Sequence, residues 1–222
     1  IKLNVHDLDS LINLLKDDGH FYYASTSELY GNKKSDENTI PSSNPLSQRA
    51  VYTESKRLGE AILNTSIKKR STFFRICLAY SPNFKIGDNR VLYELIIKAL
   101  KEKVIKLLDD GSSLRQYIYV DDAIKMMEDI AFKKSVRNIN KSSVWNISNP
   151  EKISILELAN KIANILDVKV IPSEKNNNPL HALSNVEIIP NRYSENFGFF
   201  EFTNINDGLK KVILSAEYQI KN

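Results

Sequence analysis

Ala24-Ser25-Thr26-Ser27-Glu28-Leu29-Tyr30-Gly31, following the apolar run Phe21–Tyr23, and then Val51-Tyr52-Thr53-Glu54-Ser55-Lys56-Arg57 decide how this chain reads. The first is a strand that runs into hydroxyls and a carboxylate. The second sets a tyrosine and a lysine four residues apart, which on a helix stacks both side chains on one face, one turn apart. A phenol beside a fixed ammonium gives up its proton more easily, because the positive charge favours the phenolate. With a hydroxyl donor delivered from a neighbouring strand end, the set can move a proton on and off an alcohol.

Spacing alone carries little weight. With ten tyrosines, about one Tyr-x3-Lys pair arises by chance, and the chain holds Tyr30/Lys34 as well as Tyr52/Lys56. Context separates them. Tyr30 is followed by Gly31-Asn32, a turn signal, so Lys34 does not share its face. Tyr52 opens a Pro-free stretch in which Ala50, Leu58, Ala61, Ile62 and Leu63 form a partial helical stripe. The plain reading of that pair is a surface pair on an amphipathic helix. The chemical reading is the acid–base device that hydride transfer to a nicotinamide requires.

The order of further segments favours the second reading. Phe74-Arg75-Ile76 follows the Tyr/Lys helix, and Gly87-Asp88-Asn89-Arg90-Val91 precedes another helix. Then come Asp110-Gly111-Ser112-Ser113-Leu114-Arg115-Gln116-Tyr117-Ile118-Tyr119-Val120-Asp121-Asp122 and Trp145-Asn146-Ile147-Ser148. Taken together with the first two stretches, this resembles the extended short-chain dehydrogenase/reductases that modify nucleotide sugars, over nearly the whole chain. The resemblance implies an α/β fold: a partial doubly wound, Rossmann-like parallel sheet and a smaller C-terminal α/β substrate domain. Residues 1–80 would belong to the dinucleotide-binding domain and 81–222 mainly to the substrate domain, with 144–166 returning to the dinucleotide sheet.

The resemblance also assigns roles. Tyr52 is the general acid/base and Lys56 lowers its pKa and holds the nicotinamide ribose. Tyr52, Lys56 and Cys77 line the NAD cofactor. Thr26 falls at the family's Ser/Thr position, hydrogen-bonding the sugar 4-hydroxyl, while Ser25 and Ser27 are alternatives that residue type alone leaves open. Glu28 is the discriminating catalytic residue: a carboxylate there acts beside the new 4-ketone, whereas its plain reading is a helix or loop cap. Arg115 and Arg90 are the substrate-binding candidates, because a guanidinium fork suits a diphosphate or a carboxylate.

Two departures narrow the subgroup. Leu78 and Ser81 in Arg75-Ile76-Cys77-Leu78-Ala79-Tyr80-Ser81-Pro82 stand where the family usually has Asn and Gly. Ser27-Glu28 replaces the Asp-Glu of dTDP-glucose 4,6-dehydratases. The first stretch also resembles GDP-mannose 4,6-dehydratases, and Gln48-Arg49-Ala50-Val51-Tyr52-Thr53-Glu54-Ser55-Lys56-Arg57 resembles UDP-glucuronate decarboxylases. Decarboxylation of UDP-glucuronate ranks first, 4,6-dehydration second and 4-epimerisation third. A binding or scaffolding relic of such an enzyme is the reading from another class.

The chain has seven glycines and no glycine-rich cluster, although the family's pyrophosphate site is a glycine-rich strand–turn–helix. It opens on Val5, Leu8, Leu11, Ile12 and Leu15 at helical spacing. The expectation is therefore the C-terminal part of a longer enzyme, inactive alone, whose whole form pairs as a homodimer through the helices of residues 5–16 and 52–68.

Composition sits in the globular range, at 42% hydrophobic and 26% charged. No apolar run is long enough to span a bilayer, so no membrane partner is expected. The lone Cys77 excludes an internal disulfide and fits a reducing, cytoplasmic setting. The net charge of +4 is modest, and Lys68-Lys69-Arg70 reads as a solvated helix end rather than a nucleic-acid patch. His6, His20 and His181 lack metal-ligand spacing.

Pattern predicts helices over 5–16, 52–68, 91–100 and, from the capping box Ser154/Glu157, 155–166. Strands are predicted over 20–25, 72–80, 104–108, 116–120 and 144–148, and loops over 32–47 and 175–179. Asp121-Asp122 reads as a helix start whose carboxylates meet free N–H groups. The remaining C-terminal stretch is the least legible.

Overall fold

The computed structural model describes residues 2–16, 19–31, 33–66, 70–132, 142–174 and 187–221. His181, Lys68-Lys69 and the 175–179 loop lie outside them. After a π-helical turn, Lys2–His6, the order is α1 (Leu8–Leu14), β1 (His20–Thr26), a 3₁₀ turn (Ser27–Tyr30), β2 (Lys34–Ser35), α2 (Ala50–Thr65), β3 (Arg70–Ile76), β4 (Leu78–Tyr80) and α3 (Val91–Glu102). Next come β5 (Val104–Lys106), β6 (Leu114–Arg115), β7 (Tyr117–Tyr119), α4 (Val120–Phe132), β8 (Ser143–Ile147) and β9 (Ile153–Ser154). The chain closes with α5 (Ile155–Leu166), β10 (Lys169–Ile171), β11 (Glu187–Ile188), α6 (Asn191–Phe197) and α7 (Ile205–Lys221).

Two compact units result: Ile1–Cys77 with Ala123–Pro150 and Val186–Phe200, and Leu78–Asp122 with Glu151–Asn185 and Glu201–Asn222. In the first, β1, β3 and β8 form a parallel sheet in that order, with His20 opposite Arg70 and Thr26 opposite Ile76, and then Thr72 opposite Ser143. Alternation along β1 sends Tyr23 to one face, where it meets Phe73 edge-to-face and packs with Leu8, Ile12 and Leu63 of α1 and α2. Tyr22 points the other way, stacks on Phe74, and donates to the Ala131 carbonyl of α4 at 3.0 Å. Helices thus cover both faces, as a doubly wound sheet requires.

Gly59 lets α2 sit close to that sheet. A Cβ there would meet the Tyr23 hydroxyl and come within 2.8 Å of the Asn4 carbonyl. Asn4 also donates to Ser55 Oγ at 3.0 Å, so the first turn of the chain clasps the middle of α2.

The second unit is built on the apolar faces of α3, α5 and α7. Leu92, Ile96, Ala99, Leu158, Ile162, Leu209, Val212 and Ala216 share one core with Tyr80, Tyr117 and Tyr119. Parallel β4–β7 and β5–β10 and antiparallel β6–β9 frame it. The capping box is present as read: Glu157 N–H donates to Ser154 Oγ at 3.0 Å, and Ser154 N–H to Glu157 Oε2 at 2.9 Å.

Several expectations need correction. The strand expected over 72–80 is two: β3 ends at Ile76, and Leu78–Tyr80 pairs instead with Tyr117–Tyr119 in the second unit. The expected return of 144–166 to the first sheet stops at Pro150, because α5 buries Ile155, Leu158, Ala159 and Ile162 in the second core. Asp121 and Asp122 do stand in the first turn of α4, but the Asp122 carboxylate accepts from Thr203 N–H and Oγ1 at 2.9 and 2.8 Å. The loop over 32–47 contains β2, which pairs with β11 in parallel. Among the described residues no helix is long and apolar enough to cross a membrane, and no group of three His, Cys, Asp or Glu residues could hold a metal ion.

Candidate active site

β1 delivers its hydroxyls at its carboxyl end, the edge where open α/β sheets bind ligands. Thr26 Oγ1 caps the 3₁₀ turn by accepting from the Glu28 N–H at 3.3 Å, and its own proton remains available to donate. Ser25 is committed elsewhere, donating to Glu60 Oε1 at 2.6 Å. That separates two of the three hydroxyls that residue type left open. Ser27 is buried within the turn.

Tyr52 and Lys56 lie one turn apart near the start of α2. Tyr52 is 37% exposed and its hydroxyl has no protein partner among the described residues. Lys56 Nζ donates to the Ala24 carbonyl at 2.8 Å and stands 5.0 Å from the Tyr23 ring centroid. Burial pulls the Lys56 ammonium below the ordinary lysine value. The Tyr23 phenol is pushed up to about 12, by burial first and then by Glu60 and Tyr52. The ammonium is anchored to the strand end, on the helix face that carries Tyr52.

The Glu28 side chain is not a cap; in the turn its N–H donates to Thr26 Oγ1 and its carbonyl accepts from the Gly31 N–H at 3.2 Å. Its carboxylate grips Arg49 in a fork, with Nε to Oε2 at 2.6 Å and Nη2 to Oε1 at 2.8 Å. Arg49 Cζ in turn lies 4.9 Å from the Tyr52 ring centroid. The Glu28 hydrogen bond is the main cause holding the Arg49 guanidinium above its ordinary value. A partly exposed pair of this kind adds little stability. Its value is geometric, since it fixes one carboxylate and one cation against the face of the phenol. Arg49 entered the sequence reading only inside a motif, although its place three residues before Tyr52 was a usable signal.

Cys77 follows β3 and continues its ladder, with its N–H donating to the Ile147 carbonyl at 3.0 Å. Burial pushes its thiol up to about 12, so it is a neutral packing group rather than a nucleophile. The two arginine candidates belong to the second unit. Arg90 is spoken for: it forks onto Asp88 and donates to the Ala79 carbonyl at 2.9 Å while lying over the Tyr93 ring. Arg115, in β6, donates to the Leu114 carbonyl at 2.8 Å. Burial pulls its guanidinium down, against opposing pulls from Tyr117 and Asp109.

The structure therefore brings Thr26, Glu28, Tyr52 and Lys56 to one edge of one sheet, and adds Arg49. The family model described as "NAD dependent epimerase/dehydratase family" matches residues 1–148. A zebrafish (Danio rerio) protein, UDP-glucuronic acid decarboxylase 1, is 29% identical over 173 residues, 75% of this chain and 40% of that protein. The chain thus spans well under two thirds of that curated relative. UDP-glucuronic acid 4-epimerase from Bacillus cereus, in complex with UDP-glucuronic acid and NAD, aligns at a TM-score of 0.71 and 21% identity over 90% of this chain and 62% of that one. dTDP-glucose 4,6-dehydratase from Bacillus anthracis, in complex with NAD, aligns at 0.74 and 18% over 98% and 68%. At those identities the two structures establish the fold.

Proposed function

Since the chain belongs to the NAD dependent epimerase/dehydratase family, we propose that the protein containing it decarboxylates UDP-glucuronate through a 4-keto intermediate, with NAD regenerated in each turnover. The observation that carries this reading is the Glu28–Arg49 fork beside Tyr52. A uronate brings its own carboxylate to C5, which a bare Glu28 would repel. A Glu28 already met by Arg49 does not repel it, and the remaining guanidinium N–H groups suit a carboxylate. The curated relatives named as UDP-glucuronic acid decarboxylases support the same substrate class.

The donor set fits the ribose end of NAD. Lys56 spends one N–H on Ala24 and keeps two for hydroxyl acceptors, and the Tyr52 hydroxyl is unpartnered among the described residues. When bound, NAD supplies the oxidising equivalent that turns the C4 alcohol into a ketone and later restores it. Tyr52 takes the proton from the 4-hydroxyl, helped by the Lys56 charge, and Thr26 donates to that oxygen. In the β-keto acid the C5–C6 bond breaks, CO2 leaves, and the electron pair moves to O4, where Thr26 and Tyr52 stabilise the enolate. A proton then returns to C5 on the Glu28–Arg49 side. Cys77 packs beside the cofactor as a neutral thiol.

In this reading the first unit serves the dinucleotide; within the second, the Arg115 guanidinium suits a diphosphate and Arg90 is held by Asp88. The exposed Leu11 and Leu14 of α1 and Val51 and Leu58 of α2 support a homodimer paired through these helices. A strictly monomeric species in light scattering at micromolar concentration would refute that pairing. The reaction itself is tested by incubating the protein and NAD with UDP-glucuronate, UDP-glucose and dTDP-glucose and identifying products by NMR. A UDP-pentose from UDP-glucuronate alone is expected; a 4-keto-6-deoxy product or a C4 epimer overturns the assignment.

A further inference from the structure

Below the candidate site lies a buried polar cluster that the proposed chemistry does not use. Arg75, 5% exposed, donates from Nε to Glu60 Oε1 at 3.0 Å and from Nη2 to Glu60 Oε2 at 2.7 Å. Ser25 Oγ donates to the same Glu60 oxygen at 2.6 Å. The other side of the guanidinium faces the Tyr30 ring, with Cζ 4.8 Å from its centroid. Tyr30 is fully buried and its hydroxyl donates to Asn146 Oδ1 of β8 at 2.9 Å. We propose that Arg75 and Glu60 are positioning residues, tying the turn that carries Thr26 and Glu28 to the helix that carries Tyr52 and Lys56.

Register joins the two arms. Glu60 follows Lys56 by four residues and Tyr52 by eight, so all three share a face of α2. Arg75 pairs across the sheet with Ser25, the neighbour of Thr26. One guanidinium therefore holds both arms of the site: α2 by a planar fork, and the 3₁₀ turn by the flat face of Tyr30. Stability alone does not call for ions here, because apolar groups of similar volume often serve a buried position as well or better. A fork adds direction, fixing both the height and the rotation of α2 on the sheet. The 2.8 Å bond from Lys56 to the Ala24 carbonyl depends on both.

The catalytic half of this inference rests on the proposed reaction; the positional half does not. Arg75→Lys keeps the charge and loses the fork and the flat stack, and Glu60→Gln keeps the shape and loses the charge. Each is made in the full protein, and folding is checked by circular dichroism, so that either variant can carry the test. The ¹³Cε resonance of Lys56, assigned by its absence in Lys56→Met, is titrated against pH. In the native protein its midpoint falls below that of an ordinary lysine. In either folded variant it should rise toward the ordinary value, while kcat falls by about 10- to 100-fold and KM stays within about threefold. A Lys56 midpoint that does not move in a folded variant overturns the proposal whatever the activity. Failure of the native protein to turn over UDP-glucuronate would instead refute the reaction and leave the titration to decide the positioning.

Discussion

Gly59→Ala perturbs the closest approach between α2 and the sheet by a single methyl group. In an exposed helix this change stabilises by about 1 kcal/mol, because alanine is the better helix former. Here the added Cβ would meet the Tyr23 hydroxyl, lie 2.7 Å from Tyr23 Cζ and 2.8 Å from the Asn4 carbonyl. Tyr23 cannot swing away, since it is 6% exposed and packed on Phe73, and the carbonyl belongs to backbone. Overpacking of this kind costs about 1–3 kcal/mol, and against the propensity gain of about 1 kcal/mol the net loss is about 0–2 kcal/mol. Lifting α2 also lengthens the Lys56–Ala24 bond, so kcat should fall with stability. Urea unfolding of the two proteins, followed by circular dichroism with unchanged slope, reads the first effect. A variant that is more stable than the parent would refute the close seating of α2.

Four further outcomes follow from the same geometry. Tyr52→Phe should lower kcat by about 10² to 10⁴ while isothermal titration shows UDP-glucuronate binding nearly unchanged. Glu28→Gln should oxidise substrate once and stall, with NADH absorbance persisting on the enzyme; normal turnover would remove Glu28 from the chemistry. Lys56→Met should abolish turnover, and removing a partly desolvated ammonium should offset, near pH 7, part of the cost of losing its bond to the Ala24 carbonyl. Burial has lowered the folded-state pKa of Lys56, so the native protein gains stability as pH rises toward the ordinary lysine value, and this offset should narrow in alkaline urea titrations. Ser71→Ala should be neutral or stabilising by up to about 1 kcal/mol in thermal unfolding, since the fully buried Ser71 hydroxyl has no partner among the described residues.

What could be read from sequence was set by period and by local chemistry. The Tyr52/Lys56 helix, the strand before Thr26 and the Ser154/Glu157 capping box are local patterns, and each stands where its residues put it. The Glu28–Arg49 fork joins residues on separate elements, so its partners appear only after the strand and α2 are docked. Glu60 shared the readable face of α2, but its counter-ion comes from β3, and only the sheet register brings Arg75 beside Ser25. The two-residue strands β2 and β11 offer no period to detect. Leu209, Val212, Ile213 and Ala216 of α7 carry a helical apolar spacing in a stretch otherwise poor in signals. For Arg90, residue type pointed to an anionic ligand, and the structure adds a local partner, Asp88, two residues earlier.

The central claim is that a carboxylate leaves from C5 after oxidation at C4. UDP-glucuronate labelled with ¹³C at C6, incubated with the protein and a catalytic amount of NAD, tests it by following the label and the sugar in one NMR time course. The account predicts one labelled CO2 or bicarbonate per unlabelled UDP-pentose, with no net accumulation of NADH. Label retained in a nucleotide sugar, whether a C4 epimer or a stable 4-keto acid, would contradict it.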